Sequence, residues 1–202
     1  MKRLVLFDLD GVLLHSRENM RQAWTVVLEK TAVNRPFEDY FALIGRPFKD
    51  IMALLGVTSE VQQIEKIYMT ASFDFLAQAT FFPGVRETLI QLRDMGVKMG
   101  VVTSKDLPRT KAVLAQLNIK FVSVQSPSDK FRGKPAPDHL LMAMAEAGED
   151  PADSLFMGDM DTDWQAGCRA GIDYVHAGWG YGNPPSLTPV LASITDLPTF
   201  IL

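Results

Sequence analysis

Cysteine is almost absent from this sequence: Cys168 stands alone among 202 residues, beside only three histidines. A single cysteine excludes a disulfide within the chain, which fits a reducing compartment. Basic charge is not in excess either, since 20 Lys and Arg face 24 Asp and Glu for a formal net charge of −4. With no basic cluster, a nucleic-acid partner or an anionic membrane surface is not expected. Long apolar runs are missing as well. Lys2 and Arg3 precede an apolar stretch, but Asp8 and Asp10 interrupt it too early for the core of a secretion signal. No run approaches the length of a membrane span. A soluble, cytoplasmic protein is the expectation, without internal repeats or low-complexity tracts. The hydrophobic share of 47% supports a full core. The length suits one domain, or one domain carrying a small inserted one.

The stretch over residues 4–13 organises the rest. Leu4, Val5, Leu6 and Phe7 read as a short buried strand, which breaks at Asp8 and is followed by Leu9, Asp10 and Gly11. Side chains alternate along extended backbone, so Asp8 and Asp10 are predicted on the same side. Two like charges at the mouth of a buried strand cost free energy unless a cation or a proton offsets them. The plain alternative is an Asp-Gly turn after a strand.

Residues 16–81 then read as nearly all helix. Ser16 is placed to cap the first helix. Met20, Ala23, Trp24, Val27 and Leu28 form an amphipathic stripe, and Val61, Ile64, Ile67, Tyr68 and Ala71 form another. Breaks are expected at residues 45–47 and at Gly56. After residues 82–84 the pattern alternates: helix 85–95, strand 97–102, helix 109–117, strand 121–124, helix 138–147, strand 154–157, helix 164–170 and strand 174–176. Alternating units of this length predict a doubly wound α/β fold, a parallel sheet with helices on both faces. The expected division is a core of residues 1–15 and 82–202 with a helical insert of residues 16–81, hinged at both crossings and suited to act as a lid.

Every polar motif falls at the end of a predicted strand or just before a helix: Asp8 and Asp10, Thr103 and Ser104, Lys134, and Asp159 with Asp163. In doubly wound sheets that edge is where ligands bind. Carboxylates without histidine or cysteine make a hard oxygen site suited to Mg²⁺. A lysine and hydroxyls beside it supply donors for a phosphoryl group. One carboxylate can act as nucleophile, and a second, two positions on, can protonate the leaving oxygen and later activate water. The residues thus point to Mg²⁺-dependent phosphoryl transfer through an acyl phosphate.

These motifs, in this order and over essentially the whole chain, resemble those of the haloacid dehalogenase superfamily with a small helical cap, near its phosphoglycolate-phosphatase-like branch. The matching segments are residues 8–13, 101–105, 133–138 and 158–163. The resemblance implies that Asp8 is the nucleophile and a Mg²⁺ ligand. It makes Asp10 the general acid/base, binding the metal through its backbone carbonyl. Thr103 and Lys134 would hold the phosphoryl oxygens, helped by backbone around Gly11 and Ser104. Asp159 would ligate Mg²⁺, with Asp163 beside it in direct or indirect contact. The implied activity is hydrolysis of a small phosphorylated metabolite, phosphoglycolate-like or a sugar phosphate, by a monomer or weak homodimer.

The match departs at His15, where many relatives carry an aspartate, which bears on substrate preference rather than on the core chemistry. Superfamily sugar phosphomutases share an Ala-Trp pair like Ala23-Trp24 but place a histidine where this chain has Met20. A phosphomutase is therefore the second reading, and a non-catalytic binding module a third. Arg46 is the candidate for reaching a substrate anion from the insert, ahead of Lys49; a solvated loop arginine is the alternative. Thr103 and Ser104 could instead cap the following helix, Asp161 and Asp163 could be first-turn acids, and Lys134 could be solvated. The three histidines receive no role, and Cys168 is expected to be packed in a helix.

Overall fold

A computed structural model describes residues 1–202. In chain order its strands are β1 (Leu4–Phe7), β2 (Leu14–His15), β3 (Thr80–Phe81), β4 (Lys98–Val102), β5 (Ser123–Gln125), β6 (Ser154–Gly158), β7 (Asp173–Ala177) and β8 (Val190–Leu191). The helices are α1 (Arg17–Lys30), α2 (Phe37–Phe41), α3 (Phe48–Leu54), α4 (Val61–Asp74), α5 (Val85–Asp94), α6 (Leu107–Ala115), α7 (Asp138–Ala147), α8 (Asp161–Ala170) and α9 (Leu197–Phe200).

Six strands form one parallel sheet in the order β5-β4-β1-β6-β7-β8, as the alternating pattern predicts. All of β1 is buried because helices cover both faces, and a period of two divides its side chains between them. Val5 and Phe7 join the cluster built with α5 and α6 (Val85, Leu89, Leu92, Val113), whereas Leu4 and Leu6 join that of α7 and α8 (Leu140, Ala143, Ala166). No helix is long and apolar enough to cross a membrane.

The insertion between β1 and α5 has its own apolar cluster. Trp24 is fully buried and stacks on Tyr40 at 4.3 Å, with Tyr68 at its edge. The Trp24 indole N–H donates to Arg35 O at 2.8 Å, so its polar edge is satisfied. Where the chain crosses into and out of the insertion, β2 and β3 pair antiparallel through Leu14–Phe81 and His15–Thr80. This two-residue ribbon carries too little pattern to be read from sequence.

Several local expectations are corrected. Leu28 is exposed, because α1 turns Asn19 inward instead. Ser16 stands at the α1 N-terminus, but its side chain makes no capping bond; its backbone N–H donates to the Tyr181 hydroxyl at 2.8 Å. Thr103 and Ser104 do not cap α6. Asp106 does, accepting from Arg109 N–H at 3.0 Å, so the helix begins at Leu107. The third core strand is Ser123–Gln125 rather than 121–124. Cys168 is exposed, since α8 buries Thr162, Asp163, Ala166, Gly167 and Ala170 on the opposite face.

Candidate active site

Chain order reverses at β1: β4 and β5 build out on one side of it, and β6, β7 and β8 on the other. Such a switch point opens a crevice beyond the carboxyl ends of the strands. Phe7 is in register with Val101 and with Met157, so Asp8, Thr103 and Asp159 leave three adjacent strands at nearly one level. The helical insertion covers this edge. Between them lies a cavity of about 70 Å³, lined from the sheet side by Asp8, Asp10, Thr103, Ser104, Lys105, Arg109 and Lys134. Tyr40, Ile44, Arg46, Phe48, Tyr68 and Met69 line it from the insertion.

Lys134 is the electrostatic centre. Its Nζ lies 2.8 Å from Asp8 Oδ1 and 2.6 Å from Asp163 Oδ1, and donates to Val102 O at 3.3 Å. Burial works against the ammonium, but Asp163 and Asp8 outweigh it and hold Lys134 above the ordinary lysine range. Burial, with Asp163 adding and Lys134 opposing, pushes the Asp8 carboxyl up to about 7. The alternative of a solvated lysine is thereby excluded: Lys134 is 2% exposed.

Asp8, Asp159 and Asp163 each present a carboxylate oxygen, and these atoms lie within 4.8 Å of one another. Asp159 Oδ2 accepts the Tyr181 backbone N–H at 2.7 Å, while its buried Oδ1 has no partner in the protein. Burial first, and then Asp163 and Asp8, raise the Asp159 carboxyl well above the usual range. An orphaned buried oxygen among crowded carboxylates fits a hard divalent cation such as Mg²⁺, because a cation both supplies the missing partner and offsets the repulsion. Asp163 is differently placed. Its Oδ2 accepts backbone N–H groups of Asp159 and Met160 at 3.2 and 3.0 Å, and its Oδ1 faces Lys134. It is a first-turn helix acid and a member of the cluster at once.

Two glycines make room for Asp159. A Cβ at Gly11, whose φ is +89°, would overlap Asp159 Oδ2, and one at Gly180 would overlap Asp159 Cβ. Gly180→Ala should therefore displace Asp159 while leaving Asp8 and Lys134 in place. The expected result is about 10- to 100-fold weaker binding of a divalent cation such as Mg²⁺, read by direct titration of the metal into the protein.

Asp10 lines the cavity as Asp8 does, but lies beyond the strand and pairs with a different cation, Lys105, at 3.1 Å. Burial lowers the Lys105 ammonium, and Asp10 partly offsets this. Thr103 is buried and its hydroxyl accepts the Lys105 backbone N–H at 3.1 Å. Ser104 Oγ donates to Gly45 O at 2.9 Å, a direct tie between sheet and insertion. Arg46 reaches the cavity and pairs with no carboxylate, whereas Lys49 is exposed outside it. Lys105 and Arg109 have no role that sequence reasoning finds. Lys105 lies inside a matching motif, one residue past Ser104; Arg109 looks like the start of a helix.

The chain matches the haloacid dehalogenase-like hydrolase family over residues 5–177. It is 30% identical over 191 residues to the phosphoglycolate phosphatase of Aquifex aeolicus (strain VF5), covering 89% of this chain and 86% of that one. To the phosphoglycolate phosphatase of Pseudomonas putida (strain KT2440) it is 31% identical over 197 residues, covering 91% and 72%. In fold it is similar to a crystal structure from Lactobacillus plantarum, with a TM-score of 0.91 across the full length of both chains at 21% identity. It is also similar to CbbY of Rhodobacter sphaeroides in complex with phosphate, with a TM-score of 0.82 at 17% identity, covering 98% and 96%. Sheet order, strand-end cluster and these likenesses converge: the chain belongs to the haloacid dehalogenase-like hydrolases, on the phosphatase side of that family.

Proposed function

We propose that the protein is a Mg²⁺-dependent phosphatase of small phosphorylated metabolites, phosphoglycolate-like compounds or sugar phosphates, working through an aspartyl-phosphate at Asp8. The observation that carries this reading is Lys134 buried between Asp8 and Asp163, beside an Asp159 oxygen with no partner. Asp8 and Asp159 would hold the metal directly, with the Asp10 backbone carbonyl as a third protein ligand and Asp163 orienting the loop and Lys134. The metal would neutralise charge on the phosphoryl group and keep Asp8 ionised.

Asp8 attacks phosphorus, and the bond to the ester oxygen breaks. Asp10 gives that oxygen its proton. Asp10, now a carboxylate, takes a proton from water, the hydroxide attacks the acyl phosphate, and inorganic phosphate leaves with Asp8 restored. Thr103 Oγ1, Lys134 Nζ and backbone N–H groups around Gly11 and Ser104 hold the three non-bridging oxygens. The helical insertion acts as a cap over residues 16–81: closed, it excludes water other than the attacking molecule. Met20 lines its inner wall with a thioether that neither gives nor takes a proton, which favours hydrolysis over handing the phosphoryl group back to a sugar.

The test is phosphate release from phosphoglycolate, sugar phosphates, nucleotides and pyrophosphate, with Mg²⁺ and with chelator. Release is expected from the small monoesters, lost with chelator and restored by Mg²⁺. Undiminished release in chelator would overturn the metal role, and no release from any compound would overturn the phosphatase.

A further inference from the structure

Arg109 comes from α6 of the sheet domain, yet its guanidinium lies inside the insertion wall. Nη1 donates to Ser72 Oγ at 2.7 Å, and Ser72 in turn donates to Asn19 Oδ1 at 2.9 Å, both within the insertion. Nε faces Asp106 on its own helix. Nη2 has one partner, the Met69 sulfur at 2.7 Å. A thioether is a weak acceptor, and a charged N–H donor that is buried with only such a partner is under-satisfied. Arg109 is 5% exposed, and it lines the cavity together with Met69 and Tyr68. The Tyr68 ring lies 5.8 Å from the guanidinium carbon. Burial keeps the Tyr68 phenol protonated by pushing it up to about 12, so its hydroxyl remains a donor.

The insertion's share of the cavity wall contains no carboxylate. The one acid on the sheet side besides Asp8 is Asp10, which lies 3.1 Å from the Lys105 ammonium. An anion at this end of the cavity would thus meet only donors and apolar side chains, while a neutral group there would leave Arg109 Nη2 on sulfur. The cavity is small, so the group that reaches Arg109 must sit a short chain from phosphorus.

Resting on the phosphatase reading, we infer that Arg109 is a specificity-determining residue: its Nη2 reads a carboxylate on the substrate's non-phosphate end. Substrate choice is then set partly from the sheet domain rather than by the insertion alone, and only when the insertion is closed, because Ser72 and Met69 aim the guanidinium. The preferred class is short phosphate monoesters of hydroxy acids, ahead of neutral sugar phosphates.

The test compares kcat/KM for phosphoglycolate with that for 2-hydroxyethyl phosphate, which replaces the carboxylate by a neutral alcohol of similar size. Wild type, Arg109→Met and Arg109→Lys are measured with Mg²⁺, and each variant's fold is checked by circular dichroism and thermal unfolding. The wild type should favour the acid by about 10- to 100-fold, the size of a hydrogen bond to a charged group. Arg109→Met should bring that ratio close to one, and Arg109→Lys should leave it intermediate, since an ammonium keeps the charge but loses the fork. If both substrates fall equally in Arg109→Met, the residue only braces the insertion and the inference is overturned. Equal use of both substrates by the wild type overturns it too, with the phosphatase reading intact. If the wild type hydrolyses neither but releases phosphate from a sugar phosphate, this inference fails and the phosphatase reading stands; if it releases phosphate from no compound, both fail. Should Arg109→Met fail to fold, the Arg109→Lys ratio decides: an unchanged ratio overturns the inference.

Discussion

Asp8→Asn is expected to lower phosphate release by a factor on the order of 10⁴–10⁶, the scale seen when a covalent nucleophile is removed, and to leave the fold at least as stable. The second half follows from electrostatics. In the metal-free protein the Asp8 carboxyl sits at about 7 because burial and Asp163 oppose its charge more than Lys134 favours it. Its pKa is higher folded than unfolded, so the stability that protonated Asp8 contributes is complete below about pH 4 and lost as pH rises through about 7. Wild type without metal should therefore lose stability across that window, by an amount of a few kcal/mol at most, and the Asp8→Asn variant should lack that part of the slope. Magnesium reverses the order. By binding the folded state it should raise the wild-type midpoint more at pH 8 than at pH 5.5, where protons compete for the same oxygens. In Asp8→Asn the Mg²⁺-induced rise should shrink, because one anionic ligand is gone. Thermal unfolding at both pH values, with Mg²⁺ and with chelator, measures all of this, and phosphate release measures the rest. Turnover by the variant within tenfold of wild type would remove Asp8 from the chemistry. A variant less stable than wild type at pH 8 in chelator would show that the charge on Asp8 is held more favourably than the geometry indicates.

How far the fold and the site are legible in the sequence depends on the range over which each feature is encoded. β1, β4 and β6 are buried on both faces, and such strands read as short continuous apolar runs. Their polar successors, Asp8, Thr103 and Asp159, can thus be placed at strand ends from the sequence alone. Lys134 is singled out by its place just before a helix and Asp163 by its closeness to the strand-end Asp159, weaker signals than a strand end itself, and the family resemblance supplies their roles. Arg109 escapes sequence reading for a physical reason. A long side chain that leaves its own helix and ends in another segment leaves no periodic trace, and Asp106 supplies an ordinary N-cap that makes the region look complete. Lys105 escapes it because a lysine's partner is fixed by tertiary placement, here Asp10 from a different strand end. The shortest elements, β2, β3 and β8, hold two residues each, below the length at which alternation can be seen. Asp8 and Asp10 do open onto one cavity, as alternation suggests, but β1 has already ended at Phe7, so the turn at Gly11 rather than the pleat directs Asp10.

Lys134→Met should be the most destabilising single change at this site. It removes the one cation between two buried carboxylates, and taking away one partner of a buried ion pair costs about 3–5 kcal/mol because the other charge is left uncompensated. For a chain of this size each kcal/mol moves the midpoint by roughly 2–4 °C, so a fall of roughly 6–20 °C is expected at pH 8 in chelator. Three further measurements separate lost charge from lost packing. Lowering the pH to 5 should restore part of the difference, since without Lys134 the Asp8 carboxyl rises further and protonates at higher pH. Mg²⁺ should restore part as well, as it supplies positive charge to the same oxygens. The double variant Lys134→Met/Asp163→Asn should lie closer to wild type than the two single effects predict, by the coupling expected of groups 2.6 Å apart. Activity should not return in any of these, because the phosphoryl oxygens would still lack their ammonium donor. If Lys134→Met instead unfolds at the same midpoint as wild type at pH 8 without metal, then Asp8 and Asp163 are not both charged there. The repulsion that makes this cluster fit a divalent cation would then be relieved by a proton, and the argument for Mg²⁺ would rest on the orphaned oxygen of Asp159 alone.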